Sequence, residues 1–174
     1  MNANKKKLQQ QLENDTGKKV LLRDLTNIAT TLKRRNSSRN DLDQCVDNLR
    51  SVHKCSVDIC TSENGEDFCG IFVQDDDMRK TFAAFPEIIF LDATYKLLEL
   101  QFPVYLFSCE ESNGATEIVG MGMLVNEDAE SLRWLIRTFQ KKNPEVINTW
   151  IVMADKDINE RDTIKEVLPR VKAP

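Results

Sequence analysis

Two aspartates close two short apolar runs. Asp92 follows Glu87-Ile88-Ile89-Phe90-Leu91, and Asp155 follows Thr149-Trp150-Ile151-Val152-Met153-Ala154. Runs of this length, apolar and partly β-branched, read as buried central strands. A carboxylate is costly to bury without a partner. Such an aspartate therefore sits at the open end of its strand, is tied into hydrogen bonds, or serves a metal. Two carboxylates brought side by side can hold Mg²⁺ or Mn²⁺. The ions then activate a water or hydroxyl and stabilise a leaving oxygen.

The elements between the aspartates decide whether they meet. Strands are expected over 87–95, Pro103–Glu110 and Thr116–Val125, with Ser112-Asn113-Gly114 as the turn between the last two. These spacings suit an antiparallel meander. An amphipathic helix follows, with Leu132, Leu135, Ile136 and Phe139 as its apolar stripe and Asn126 or Asp128 as its cap. The next strand is Trp150–Ala154. A last helix runs from about Asn159 to Leu168 and is stopped by Pro169. A helical crossover lays the fourth strand parallel to an earlier one. If that partner is the first strand, Asp92 and Asp155 become neighbours. The fold class is α/β, with an α+β N-terminal extension. Gly120 and Gly122 are placed on one face of the third strand with Ile118 and Leu124. Glycine inside a strand marks a bulge or a close backbone approach.

Upstream, Leu21, Leu25, Ile28, Ala29 and Leu32 have helical spacing. A second helix opens near Ser38 or Asn40, with Leu42, Cys45, Val46 and Leu49 as its stripe. Cys55 to Val73 reads as a hairpin turning at Asn64-Gly65. A two-residue loop sets Cys60 opposite Cys69 and Ile59 opposite Gly70, with Cys55, Val57, Ile59, Phe68 and Phe72 on one face. A short helix covers Asp75 to Phe85, before Pro86. The chain divides into a basic polar leader (1–19), a helical extension (20–54), a lead-in hairpin and helix (55–86) and a core (87–174).

The 174 residues form a soluble chain, and no apolar stretch is long enough to span a bilayer. The net charge of −4 hides a split. Residues 1–39 carry ten Lys/Arg against three Asp/Glu, and residues 40–174 carry fourteen against twenty-five. An arm of +7 on a body of −11 makes the arm the natural place for phosphate contact, set against a merely solvated leader. The five cysteines are expected as thiols in an intracellular setting. His53, Cys55, Cys60 and Cys69 lack the close cysteine pairs of structural zinc sites, so buried thiols are the preferred reading.

The chain resembles the ribonuclease H-like domain of the zinc-finger SWIM domain-containing proteins, a group similar to Mutator-like element transposases. Four segments carry the resemblance: Met78-Arg79-Lys80-Thr81-Phe82 through Phe85-Pro86, Asp92-Ala93-Thr94-Tyr95-Lys96, Ser131-Leu132-Arg133-Trp134, and Asp155-Lys156-Asp157 with the helix ending at Leu168-Pro169. It implies a ribonuclease H-like mixed sheet in the order strand-strand-strand-helix-strand-helix. It implies Asp92 and Asp155 as two acids of a metal-binding catalytic set, and a nuclear location. The third acid of active relatives lies on a helix after a fifth strand, and these residues hold neither. The expected state is thus a core truncated before the fifth strand, with an exposed sheet edge. Asp157 and Glu130 are the nearby acids, better read as a helix cap and a first-turn acid. The expectation is a domesticated, transposase-derived domain that no longer cuts DNA and binds nucleic acid or protein. No cofactor is expected, or Mg²⁺ or Mn²⁺ if activity survives. DNA would be met through the N-terminal arm, and the sequence names no protein partner. The alternatives are a fragment of a metal-dependent DNA transposase or nuclease whose third acid lies outside this chain, and an interaction module with no nucleic-acid role.

Overall fold

The computed structural model describes residues 27–28, 39–63, 65, 67–94, 102–154 and 158–172. The chain divides into two compact units, Met1–His53 and Lys54–Pro174. In the first, Asn27 and Ile28 are helical and Ile28 is fully buried. The rest of the helix expected over Leu21–Leu32 lies outside the described residues. Helix α1 (Arg39–Ser51) buries Val46 and Leu49, as its stripe requires.

The second unit is built on one six-stranded mixed sheet. Its strands are β1 (Ser56–Thr61), β2 (Phe68–Gln74), β3 (Ile88–Thr94), β4 (Val104–Glu110), β5 (Thr116–Leu124) and β6 (Ile151–Ala154), in the spatial order β1-β2-β5-β4-β3-β6. The meander β3-β4-β5 is antiparallel. β6 joins β3 in parallel after the crossover through helix α3 (Ala129–Lys142). The hairpin belongs to the same sheet, because β2 pairs antiparallel with β5. Sequence spacing gave no sign of that long-range pairing.

Local chemistry fixes the helix ends. Asp75 Oδ1 accepts from Met78 N at 2.8 Å and starts helix α2 (Asp76–Ala84), which buries Met78 and Phe82. Of the two cap candidates for α3, Asp128 is the one used: its Oδ1 accepts from Ser131 N at 2.8 Å. At the far end, Asn143 is wholly buried and caps the last turn. Its Nδ2 donates to Phe139 O at 2.8 Å, and its Oδ1 accepts from Gln74 Nε2 at 2.9 Å. A 3₁₀ turn, Pro144–Asn148, then leads into β6. Thr149 Oγ1 donates to Pro86 O at 2.7 Å, which ties the entry of β6 to the entry of β3. Helix α4 (Ile158–Val167) closes the order.

The core beneath α3 is aromatic. Phe107 and Phe139 stack with centroids 4.3 Å apart, and Phe72 and Phe82 meet Phe139 edge-on. Leu91, Leu135, Val152, Ile164 and Leu168 complete the same cluster.

Three expectations need correction. The hairpin loop is longer than two residues. Ser62 N donates to Asp67 O and Ser62 Oγ accepts from Asp67 N, so a serine-anchored loop spans 62–67. A register shift at Cys60/Thr61 then pairs Cys60 with Gly70 and Ile59 with Ile71, not with Cys69 and Gly70. Phe72 accordingly pairs with Asp58 and joins the aromatic core, on the opposite face from Val57 and Ile59. Secondly, β5 bulges. Ile118 pairs with Ser108 but Gly120 pairs with Phe107, so Val119 is the extra residue and takes the core position instead of Ile118. One inserted residue resets the two-residue alternation on which face assignment rests. Thirdly, the outer edge of β6 is not open along its length. After the Leu168–Val171 turn, Lys172 N donates to Trp150 O at 2.9 Å and Val152 N donates to Lys172 O at 3.0 Å, a single parallel bridge.

Candidate functional site

The parallel β3–β6 pair brings the two apolar runs together in register. Ile88 lies beside Ile151, Ile89 beside Val152, Phe90 beside Met153 and Leu91 beside Ala154. Each strand's next residue in sequence is one of the two aspartates. Asp92 is paired with Leu106 of β4 and is exposed at the carboxyl end of β3. Strand alternation puts it on the face of Phe90 and Ile88, away from the core residues Ile89 and Leu91. Asp155 and Asp157 lie outside the described residues. Glu130 is exposed in the first turn of α3, where a carboxylate complements the helix dipole.

Among the described residues, no three His, Cys, Asp or Glu side chains converge into a group able to hold a metal ion. A hard divalent cation takes about six oxygen ligands. Asp92 is the one member of the expected pair that lies among the described residues. All five cysteines are thiols outside any disulfide. Burial pushes the Cys60 thiol up, and neighbouring Cys69 with the acids Glu130 and Asp128 adds to this. A raised thiol pKa makes Cys60 a poor nucleophile.

The outer surface of α3 carries a feature that the apolar stripe concealed. Glu130, Arg133, Trp134, Arg137, Thr138 and Lys141 line an open groove of about 450 Å³. Arg133 donates from Nε and Nη2 to the two carboxylate oxygens of Glu166 on α4, at 2.8 and 2.7 Å. This fork raises the Arg133 pKa and holds the Glu166 carboxyl below its usual range. Arg137 stands 3.8 Å from the same carboxylate and is 62% exposed. At the other end, Lys142 bridges to β1 through Asp58 at 2.8 Å and Ser56 Oγ at 2.7 Å. The four-residue spacing of Arg133, Arg137 and Lys141 was present in the sequence as a signal for this face. Glu166, thirty-three residues away, was not.

A mixed sheet with an antiparallel meander, a helical crossover and a parallel fourth-strand partner defines a ribonuclease H-like protein. The comparisons make that specific. The family model described as "Zinc finger SWIM domain-containing protein 1/3, RNaseH-like domain" matches residues 46–173, and the chain belongs to that family. It is also similar to Protein FAR1-RELATED SEQUENCE 6 of Arabidopsis thaliana, at 26% identity over 103 residues. That match covers 58% of this chain and 14% of the relative, so the chain spans a small part of that protein's length. The domain is of the transposase-derived ribonuclease H-like kind.

Proposed function

We propose that this domain has kept the transposase-derived fold, has given up strand cleavage, and serves in nucleic-acid binding. The observation that carries this reading is the chain's charge split: an acidic body, −11 over residues 40–174, opposes the close DNA contact that cleavage needs. The same split supports the binding half: +7 over residues 1–39 attracts phosphate, while −11 over the body repels it. Binding is therefore carried by the basic arm, is micromolar at best, and weakens steeply with salt. A nuclear location fits this role.

A second reading is a piece of a Mg²⁺- or Mn²⁺-dependent DNA transposase or nuclease completed by residues outside these 174. The register favours it, because Leu91 and Ala154 are partners and each directly precedes an aspartate. One assay separates the two. Purified protein is incubated with supercoiled plasmid and Mg²⁺ or Mn²⁺. The expected result is no nicking above the level of Asp92→Asn. Nicking by the parent chain that Asp92→Asn abolishes would establish the second reading instead.

A further inference from the structure

We infer that the outer face of α3 is a second nucleic-acid contact, which tracks a single strand along Arg137 and Lys141 and stacks a base near Trp134. The inference rests on the proposed binding function and adds a surface to it. Residues 40–174 hold fourteen cations against twenty-five acids. Yet α3 alone holds four cations (Arg133, Arg137, Lys141, Lys142) against one acid, Glu130. With Glu166 set against Arg133 and Asp58 against Lys142, Arg137 and Lys141 remain as a local basic pair on a −11 body, and this is the body's own place for a polyanion. Three of the four cations recur at four-residue intervals, about 6 Å apart along the axis. That step is comparable with the separation of successive phosphates on an extended single strand.

The cations are not equivalent. Arg133 is held by Glu166 in a two-bond fork and serves to fix the face. Lys142 is engaged with Asp58 and Ser56. Arg137, only loosely near Glu166, and exposed Lys141 remain for a phosphate backbone. Trp134, one turn before Arg137, lines the same groove and is half-buried. Its ring packs towards Gly70, where a Cβ would come within 3.5 Å of Cζ3. An indole wedged in place beside exposed cations is the combination that single-strand binders use, stacking for the base and charge for the backbone. A purely acidic peptide would match the charges but would leave the indole unused.

The test uses the full chain carrying Trp150→Phe, so that Trp134 is the sole tryptophan, and an oligothymidylate of about twenty nucleotides. Binding is expected to quench Trp134 fluorescence. Arg137→Gln with Lys141→Gln is expected to weaken affinity at least about fivefold at low salt and to lessen the log–log salt slope by about 1.4. Both side chains are exposed, so the variant keeps its circular dichroism and melting behaviour. Unchanged affinity in the double variant overturns the inference, as does binding without quenching. Equal quenching by a duplex of the same length, or by polyglutamate, overturns the single-strand assignment. If the parent chain does not bind the oligonucleotide at all, the proposed binding function fails as well.

Discussion

Close approach makes single residues decisive in this sheet. A Cβ built on Gly122 would clash with the Leu135 side chain, and one on Gly120 would lie 3.2 Å from the Phe72 ring. Gly122→Ala therefore overpacks the α3–β5 contact. A loss of about 1–3 kcal/mol is expected, read from the urea midpoint. Phe139 stacks on Phe107 and receives the edges of Phe72 and Phe82. Phe139→Ala is expected to cost about 3–5 kcal/mol by the same measurement. The buried Gln74–Asn143 pair is polar but satisfied. Asn143→Ala leaves Gln74 Nε2 bonded to Val119 O but takes the donor from buried Gln74 Oε1 and from Phe139 O, and should cost about 1–3 kcal/mol. The glycines announced close approach or a bulge from the sequence alone, and both occur. Which of Ile118 and Val119 enters the core was not legible. A bulge changes no residue type and yet reverses the face of everything beyond it.

The elements are joined by side chains far apart in sequence. Arg133 on α3 and Glu166 on α4 make the clearest such link. The Glu166 carboxyl is held below its ordinary value by Arg133, chiefly through the paired hydrogen bonds. A lowered folded pKa gives stability that is present above the unfolded carboxylate value and is lost as pH falls through the folded one. Glu166→Gln should thus lower the urea midpoint slightly near pH 6, with the difference shrinking as pH drops below the usual glutamate range. The pair is solvent-facing, so high salt should shrink the difference too. The helix and strand series from Asp75 onward was readable in sequence, because periodicity, caps and prolines are local signals. The hairpin was readable as a hairpin, but its register was not. Ser62 closes the loop by bonding to Asp67, and this overrides the shorter turn that Asn64-Gly65 suggests.

For the whole molecule, the charge split sets the expected behaviour. Removal of residues 1–39 from the chain should reduce duplex DNA binding to the weak contribution of the body, measured by fluorescence anisotropy across a salt series. Salt-insensitive, sequence-selective binding retained by residues 40–174 would contradict this. Among the described residues no helix is long and apolar enough to cross a membrane. By itself the sequence determined the order of elements from Asp75 onward and the ribonuclease H-like class. These follow from local periodicity, capping and a resemblance carried by contiguous segments. Tertiary structure alone decided that β2 joins β5, that β6 lies against β3 with Leu91 beside Ala154, and that Lys172 bridges the β6 edge. It also decided that α3 presents Arg137 and Lys141 outward while Glu166 takes Arg133. Each of these pairings joins residues distant in the chain. Backbone hydrogen bonds and charges recognise one another by position in space, which no local pattern in the sequence records.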